Sequence, residues 1–227
     1  MATAPAIAGE GQSQGEHAKP VLIELFTSQG CASCPKANAF LGKLGHEDAM
    51  ITLTYAVGYW DYLGWKDQFA KPEFADRQKA YAARFRKSVY TPQMVVDGAA
   101  HTSGLKAAEV RALIGANPIP GGTKIDARRR DGALRITLYG PAPAAPADVW
   151  LAQYEPGPIY VEVKGGENAG ARIPHYNLVK QIVRLGAWTG APVHYAAECT
   201  PACAVIVQEE DGGRVIAARD LTPQNNN

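Results

Sequence analysis

The sequence predicts an α/β fold: a βαβαββα unit followed by an antiparallel, β-sandwich-like unit. Three observations carry this reading. Residues 21–115 alternate β-branched apolar runs with segments of helical periodicity. A cluster of breakers, Gly115-Ala116-Asn117-Pro118-Ile119-Pro120-Gly121-Gly122, then interrupts the pattern. Beyond it, apolar residues recur at every second position, the period of a half-buried strand.

The first strand is Val21-Leu22-Ile23-Glu24-Leu25-Phe26, and a helix is expected over 35–44. Ile51-Thr52-Leu53-Thr54-Tyr55-Ala56-Val57 is β-branched and apolar, hence a second strand. Strand, helix, strand implies a right-handed crossover and a parallel pair. Pro72 opens the next helix, since proline suits the first helical position. Phe74, Tyr81, Ala82 and Phe85 share one face of it, with Arg77, Lys79, Arg84 and Lys87 elsewhere. Gln93-Met94-Val95-Val96 is a third strand, Asp97-Gly98 a hairpin signal, and 99–102 the returning strand. A last helix covers 105–114, with Leu105, Val110, Leu113 and Ile114 apolar.

In the second part, 124–128 and 134–138 alternate around a turn at Arg130-Asp131-Gly132, which makes a hairpin with one wet face. Further strands are expected over 149–154, 179–185, 204–208 and 215–218, with a turn at Asp211-Gly212-Gly213. Pro141 to Pro146 reads as a Pro/Ala loop. The domains are thus a disordered arm over 1–20, an α/β unit over 21–116 and an antiparallel β unit over 123–221, packed side by side.

The chain has 227 residues, 46% hydrophobic and 20% charged, ordinary for a soluble globular protein. A net charge of +1 supplies no basic field for nucleic acid. No apolar run approaches the roughly 20 residues that span a bilayer. Ala6-Ile7-Ala8 before Gly9-Glu10 is like the small-residue end of a secretory signal, without the apolar core of one. The closing Asn225-Asn226-Asn227 carries no information.

The four cysteines form two close pairs, Cys31/Cys34 and Cys199/Cys203, which suits an oxidising compartment. Cys31-Ala32-Ser33-Cys34 lies between a strand and a helix. Two thiols at this spacing can close a disulfide, and a helix start can hold one as the attacking thiolate. In such pairs the first cysteine is the exposed nucleophile and the second resolves the mixed disulfide. Two other readings stand beside it: an inert structural disulfide, and half of a four-cysteine zinc site completed by Cys199 and Cys203. Pro35 disfavours helical geometry at Cys34, which is then a cap rather than part of the first turn. Ala32 and Ser33 match no oxidant or reductant signature.

Tyr59-Trp60-Asp61-Tyr62-Leu63-Gly64-Trp65 follows the second strand and emerges at the same sheet edge as Cys31. Trp60, Tyr62 and Trp65 either line a groove for a peptide or apolar ligand or plug a long insertion. Asp61 is the nearest carboxylate for proton transfer, and a turn role is favoured for it. Glu167, Asn168, His175 and Asn177 lie in a Gly-rich stretch whose expected role is to shape a loop or hairpin, pairing with the first unit being the lesser alternative. Cys199 and Cys203 are expected as a structural disulfide pinning the strand over 204–208, a second redox relay being the weaker idea.

Glu24-Leu25-Phe26-Thr27-Ser28-Gln29-Gly30-Cys31-Ala32-Ser33-Cys34-Pro35 resembles an uncharacterised family of secreted thioredoxin-like proteins from bacteria and plants, a domain of unknown function. Tyr59 to Trp65, Thr91-Pro92-Gln93 and Gly166-Glu167-Asn168 resemble it too, so the likeness spans both units. The resemblance implies a thioredoxin-like fold and export, to the periplasm or outside the cell. It also implies that Thr91-Pro92 is a cis-proline loop against the C-x-x-C, pairing with an incoming peptide like an added strand. A trans proline that merely starts a strand is the alternative. The expected function is a thiol-disulfide oxidoreductase without cofactor. Its partners would be protein thiols or disulfides. A thioredoxin-fold binding module and a soft-metal protein holding Cu(I) on the reduced thiols are the alternatives.

Overall fold

A computed structural model describes residues 20–116, 118–130 and 133–222. The expected arm over 1–20 (Pro20 apart), Asn117 of the breaker cluster, Asp131-Gly132 of the expected turn and the final asparagines lie outside the described residues. The architecture is mixed α/β, with few helices around one large mixed sheet. Among the described residues no helix is long and apolar enough to cross a membrane.

The first half follows β1 (Val21–Thr27), α1 (Cys34–Leu44), β2 (Met50–Ala56), α2 (Pro72–Phe85), β3 (Gln93–Val96), β4 (Ala100–Thr102) and α3 (Ala107–Leu113). β1 and β2 are parallel in register Val21↔Met50 to Thr27↔Ala56, and β3 returns antiparallel to β1 with Phe26 opposite Gln93. β1 is buried on both faces. Ile23 and Leu25 meet Ala37, Leu41 and Leu44 of α1, while Leu22 and Phe26 meet Phe74 and Tyr81 of α2. The hairpin at Asp97-Gly98 has φ of 51° and 62°, the left-handed pair that a two-residue turn needs.

Arg77 departs from expectation. It turns under α2, and its side chain is 8% exposed. There it meets the buried Glu24 of β1 at 2.7 Å and also donates to Gln208. The helical period placed Arg77 off the apolar face, but a buried carboxylate needs a cation, and no local pattern announces one.

The second half consists of β5 (Lys124–Arg130), β6 (Ala133–Tyr139), β7 (Ala147–Glu155), β8 (Ile159–Glu162), β9 (Arg172–His175), β10 (Leu178–Trp188), β11 (Val193–Ala197), β12 (Ala202–Glu209) and β13 (Val215–Asp220). It does not stand beside the first half as a separate body. β10 runs parallel to β2 through Leu178 and Thr54, and the sheet order is β13-β12-β7-β10-β2-β1-β3-β4. One eight-stranded sheet therefore spans the expected boundary, with four strands from each side of it. The physical reason is that β2, buried on both faces, would otherwise be an open edge. A three-stranded sheet, β11-β6-β5, packs on the extension through Leu134, Ile136 and Leu138 against Val149, Leu151 and Val205. β8 and β9 form a separate two-stranded hairpin over α1, where Asn38 donates to the Pro174 carbonyl at 3.0 Å.

Candidate functional site

β1 ends at Thr27, and Ser28-Gln29-Gly30 turns the chain into the sulfur pair. Cys34 opens α1 with Pro35 directly behind it, and Ser33 sits at the cap with φ −88°. Cys34 is thus the first helical residue rather than the cap. The Cys34 amide donates to the Cys31 carbonyl at 3.1 Å. That bond folds the four residues into a turn with both thiols at the helix start.

Both thiols are free, and their surroundings split them. Cys31 Sγ lies 3.5 Å from Ser33 Oγ. A hydrogen bond from Cys34, joined by others from Thr91 and Ser33, draws the Cys31 thiol down to about 5 despite partial burial. Burial, then the hydrogen bond and negative charge of Cys31, hold the Cys34 thiol far above its ordinary value. The split places the negative charge of the pair on Cys31 and leaves Cys34 as the donor facing it.

The expected exposed nucleophile is instead nearly buried: Cys31 is 3% exposed and Cys34 is fully covered. The cause is packing on both sides of residues 29–32. On one side Gly30 lies against Trp60, where an added Cβ would come within 3.0 Å of the Trp60 Cβ. On the other, Asn168 Nδ2 donates to the carbonyls of Gln29 and Cys31, and Glu167 accepts the Ala32 amide. Ala32 alone of the four is exposed.

Thr91-Pro92 is a cis peptide bond directly before β3, and β3 neighbours β1. Trp60 Nε1 donates to Thr91 Oγ1 at 2.7 Å. The three aromatics chosen from the sequence divide their work. Trp60 is tied to Thr91, and Tyr62 stacks on it at 6.3 Å while standing 78% exposed. Trp65 donates to Gln29 Oε1 at 2.8 Å and packs against Val161, Val163 and Ile173. Asp61 accepts the Asp67 amide at 3.1 Å, a turn role.

Sequence reasoning missed Asp67 and Gln29. Asp67 is 2% exposed, and its Oδ2 accepts the Gln29 amide at 2.8 Å. Burial pushes its carboxyl above the usual range. No local signal marks it. Glu167 and Asn168 are part of the site rather than only loop formers. The sequence offers this pairing as its lesser alternative, and Gly165-Gly166 ahead of them is its local signal, since Gly166 has φ 68°. His175 and Asn177 stay structural. His175 is fully buried against Phe69, and burial pushes its ring down to about 4. Asn177 donates to Thr52 Oγ1 at 2.9 Å.

Cys199 and Cys203 form a disulfide at the start of β12, with Arg129 donating to the Cys199 carbonyl at 2.7 Å. β12 lies four strand positions from β1, about 19 Å at the usual spacing. A zinc site joining the two pairs is thereby overturned, since bonded sulfurs cannot ligate as thiolates and the pairs lie apart. Among the described residues no three His, Cys, Asp or Glu side chains converge on a point that would hold a metal ion.

The crystal structure of a protein from Agrobacterium tumefaciens is similar to this fold. The TM-score is 0.78 at 26% identity, over 93% of this chain and 98% of that one. No curated protein matches. A family model described as a protein of unknown function (DUF1223) matches residues 22–216, which hold the sulfur pair, its flanking loops and nearly all of the sheet. The chain belongs to the DUF1223 family.

Proposed function

We propose that this protein is an exported, thioredoxin-like thiol-disulfide oxidoreductase with Cys31 as nucleophile and Cys34 as resolving thiol. The observation that carries the reading is the split acidity of the pair at the start of α1. A thiolate is the attacking species, and helix starts favour it. The order β1-α1-β2-α2-β3-β4-α3 with the pair at the head of α1 supports the thioredoxin-like assignment. The Cys199–Cys203 bond supports an oxidising compartment.

In the exchange, Cys31 Sγ attacks one sulfur of a partner disulfide. A mixed disulfide forms and the partner's other sulfur leaves as a thiolate. Cys34 then gives up its proton and attacks Cys31 Sγ, releasing the second partner sulfur. The protein ends as the Cys31–Cys34 disulfide and the partner as a dithiol, and the reverse sequence oxidises a partner dithiol. Thr91 and Ser33 hold the thiolate between turnovers.

The test is reduction of a disulfide-bonded protein such as insulin by wild type, Cys31→Ser and Cys34→Ser. Wild type is expected to turn over. Cys31→Ser should fall to background, and Cys34→Ser should accumulate the mixed disulfide. Equal rates for wild type and Cys31→Ser would remove the proposal. The low exposure of Cys31 favours a second reading, a binding module with a static pair. Alkylation of the reduced native protein separates the two: a Cys31 that reacts only after unfolding identifies the binding module.

A further inference from the structure

Two residues lying 135 and 137 positions from the sulfur loop are bonded to its backbone. Asn168 is 9% exposed and uses both amide protons there, donating to the carbonyls of Gln29 at 2.8 Å and Cys31 at 2.9 Å. The Cys31 carbonyl also takes the Cys34 amide, so Asn168 braces the turn that opens α1. Glu167 Oε2 accepts the Ala32 amide at 3.2 Å. The approach depends on a close crossing of loops. A Cβ on Gly165 would lie 2.6 Å from the Gly64 carbonyl oxygen.

We infer that Glu167 and Asn168 are positioning residues for Cys31, so that the second half of the chain sets the reactivity of a thiol in the first. Asn168 fixes the carbonyl frame from which the Cys31 side chain projects. Glu167 holds a carboxylate one residue from the nucleophile, and a nearby like charge opposes formation of the thiolate. The other titratable or charged groups on the surrounding segments are Cys34 and Lys36 on α1, Tyr59, Asp61, Tyr62, Lys66 and Asp67 after β2, Tyr90 beside Thr91, and Lys164 on the segment of Glu167 itself. Glu167 differs from these in bonding to the C-x-x-C backbone from outside the first half. The inference rests on the exchange reading for its meaning, but its test does not need turnover.

The test uses the full-length reduced protein, neutral iodoacetamide and mapping of the labelled cysteine. Glu167→Gln keeps an acceptor for the Ala32 amide and removes the charge. The Cys31 ionisation constant is expected to rise about 2–5-fold, the size of a partly exposed charge interaction, so the thiolate titration moves to lower pH and labelling at pH 5 quickens by up to about 2-fold. The difference should shrink in 1 M salt, which a purely structural role would not produce. Asn168→Ala is expected to move the titration the other way, because Ser33 and Thr91 no longer meet the sulfur in register. If Asn168→Ala does not fold, Glu167→Gln decides alone. Superimposed titrations of wild type and Glu167→Gln overturn the inference. A wild-type Cys31 that titrates at the ordinary thiol value would instead sink the exchange reading, and the Glu167→Gln difference would still decide this one.

Discussion

At the scale of single residues, the proposed exchange depends on dividing one proton between two sulfurs. The hydroxyl of Thr91 shows how the neighbours enforce that division. The Trp60 indole can only donate, and it occupies a lone pair of Thr91 Oγ1. The Thr91 proton is left free to serve Cys31. Thr91→Val keeps the shape and removes the donor. A hydrogen bond to a charged group contributes about 1.5–3 kcal/mol, and one pKa unit is about 1.4 kcal/mol. The Cys31 titration, followed by ultraviolet thiolate absorbance, should therefore rise by about one to two units, and Thr91→Ser should restore it. An unmoved titration in Thr91→Val would show that Thr91 does not hold the thiolate. The sulfur pair and Thr91-Pro92 were legible in the sequence because each is contiguous. Asp67 was not, and Glu167 and Asn168 entered only as a lesser alternative and through the family resemblance, because a lone polar residue in a loop gives no sign of a partner folded in from elsewhere.

At the scale of elements, residues 29–32 are covered by two short segments, Trp60 at the head of Asp61–Leu63 and Gly166–Asn168, both turns being 3-10 helix. They meet where Gly165 passes Gly64. Gly165 has φ −153°, which any residue adopts, so only the contact demands glycine. Gly165→Ala is expected to lose about 1–3 kcal/mol, the usual effect of overpacking. The same change should move Asn168 away from residues 29–31 and speed Cys31 alkylation in the native state. Thermal unfolding and labelling on one sample check both, and an unchanged labelling rate would show that this loop does not cover the sulfur. Most element types were readable from period and turn chemistry. β8, β9 and β11 were not: Ile159–Glu162 and Arg172–His175 hold four residues each, too few for a period to declare itself.

At the scale of the molecule, buried titrating groups on the two halves set opposing pH slopes. Asp97 in the β3–β4 turn is 1% exposed, accepts the Leu22 amide at 2.7 Å, and gives its carbonyl to the Val215 amide at 2.9 Å. Burial raises its carboxyl from 3.8 to about 6. Its folded value exceeds its unfolded one, so the fold binds the extra proton, and this stability is lost as pH rises from about 4 through 6. His175 has the opposite sign. Its ring is lowered from 6.5 to about 4, so stability is lost as pH falls through that window. In wild type the two slopes oppose each other between pH 4 and 6. Asp97→Asn should uncover the histidine slope, with stability in denaturant titrations falling as pH drops from 6.5 to 4. Cys31 adds its own slope above about pH 5 in both proteins, so the comparison of the two profiles decides, and parallel profiles for wild type and Asp97→Asn would refute the pairing.

The sequence by itself determined the element types, the switch from α/β to alternating strands, the position of the sulfur pair at a strand-to-helix turn and the Cys199–Cys203 bond. Those features are written in neighbours along the chain, where period, turn residues and cysteine spacing act locally. Only the tertiary structure decided that β10 lies beside β2 and that Arg77 turns under to Glu24. It also brought Asn168 onto Cys31 and left that sulfur 3% exposed. Each of these is a choice of partner across the chain. Such choices are made by unpaired edges, buried charges and orphaned amides, which acquire partners only after the chain has closed on itself.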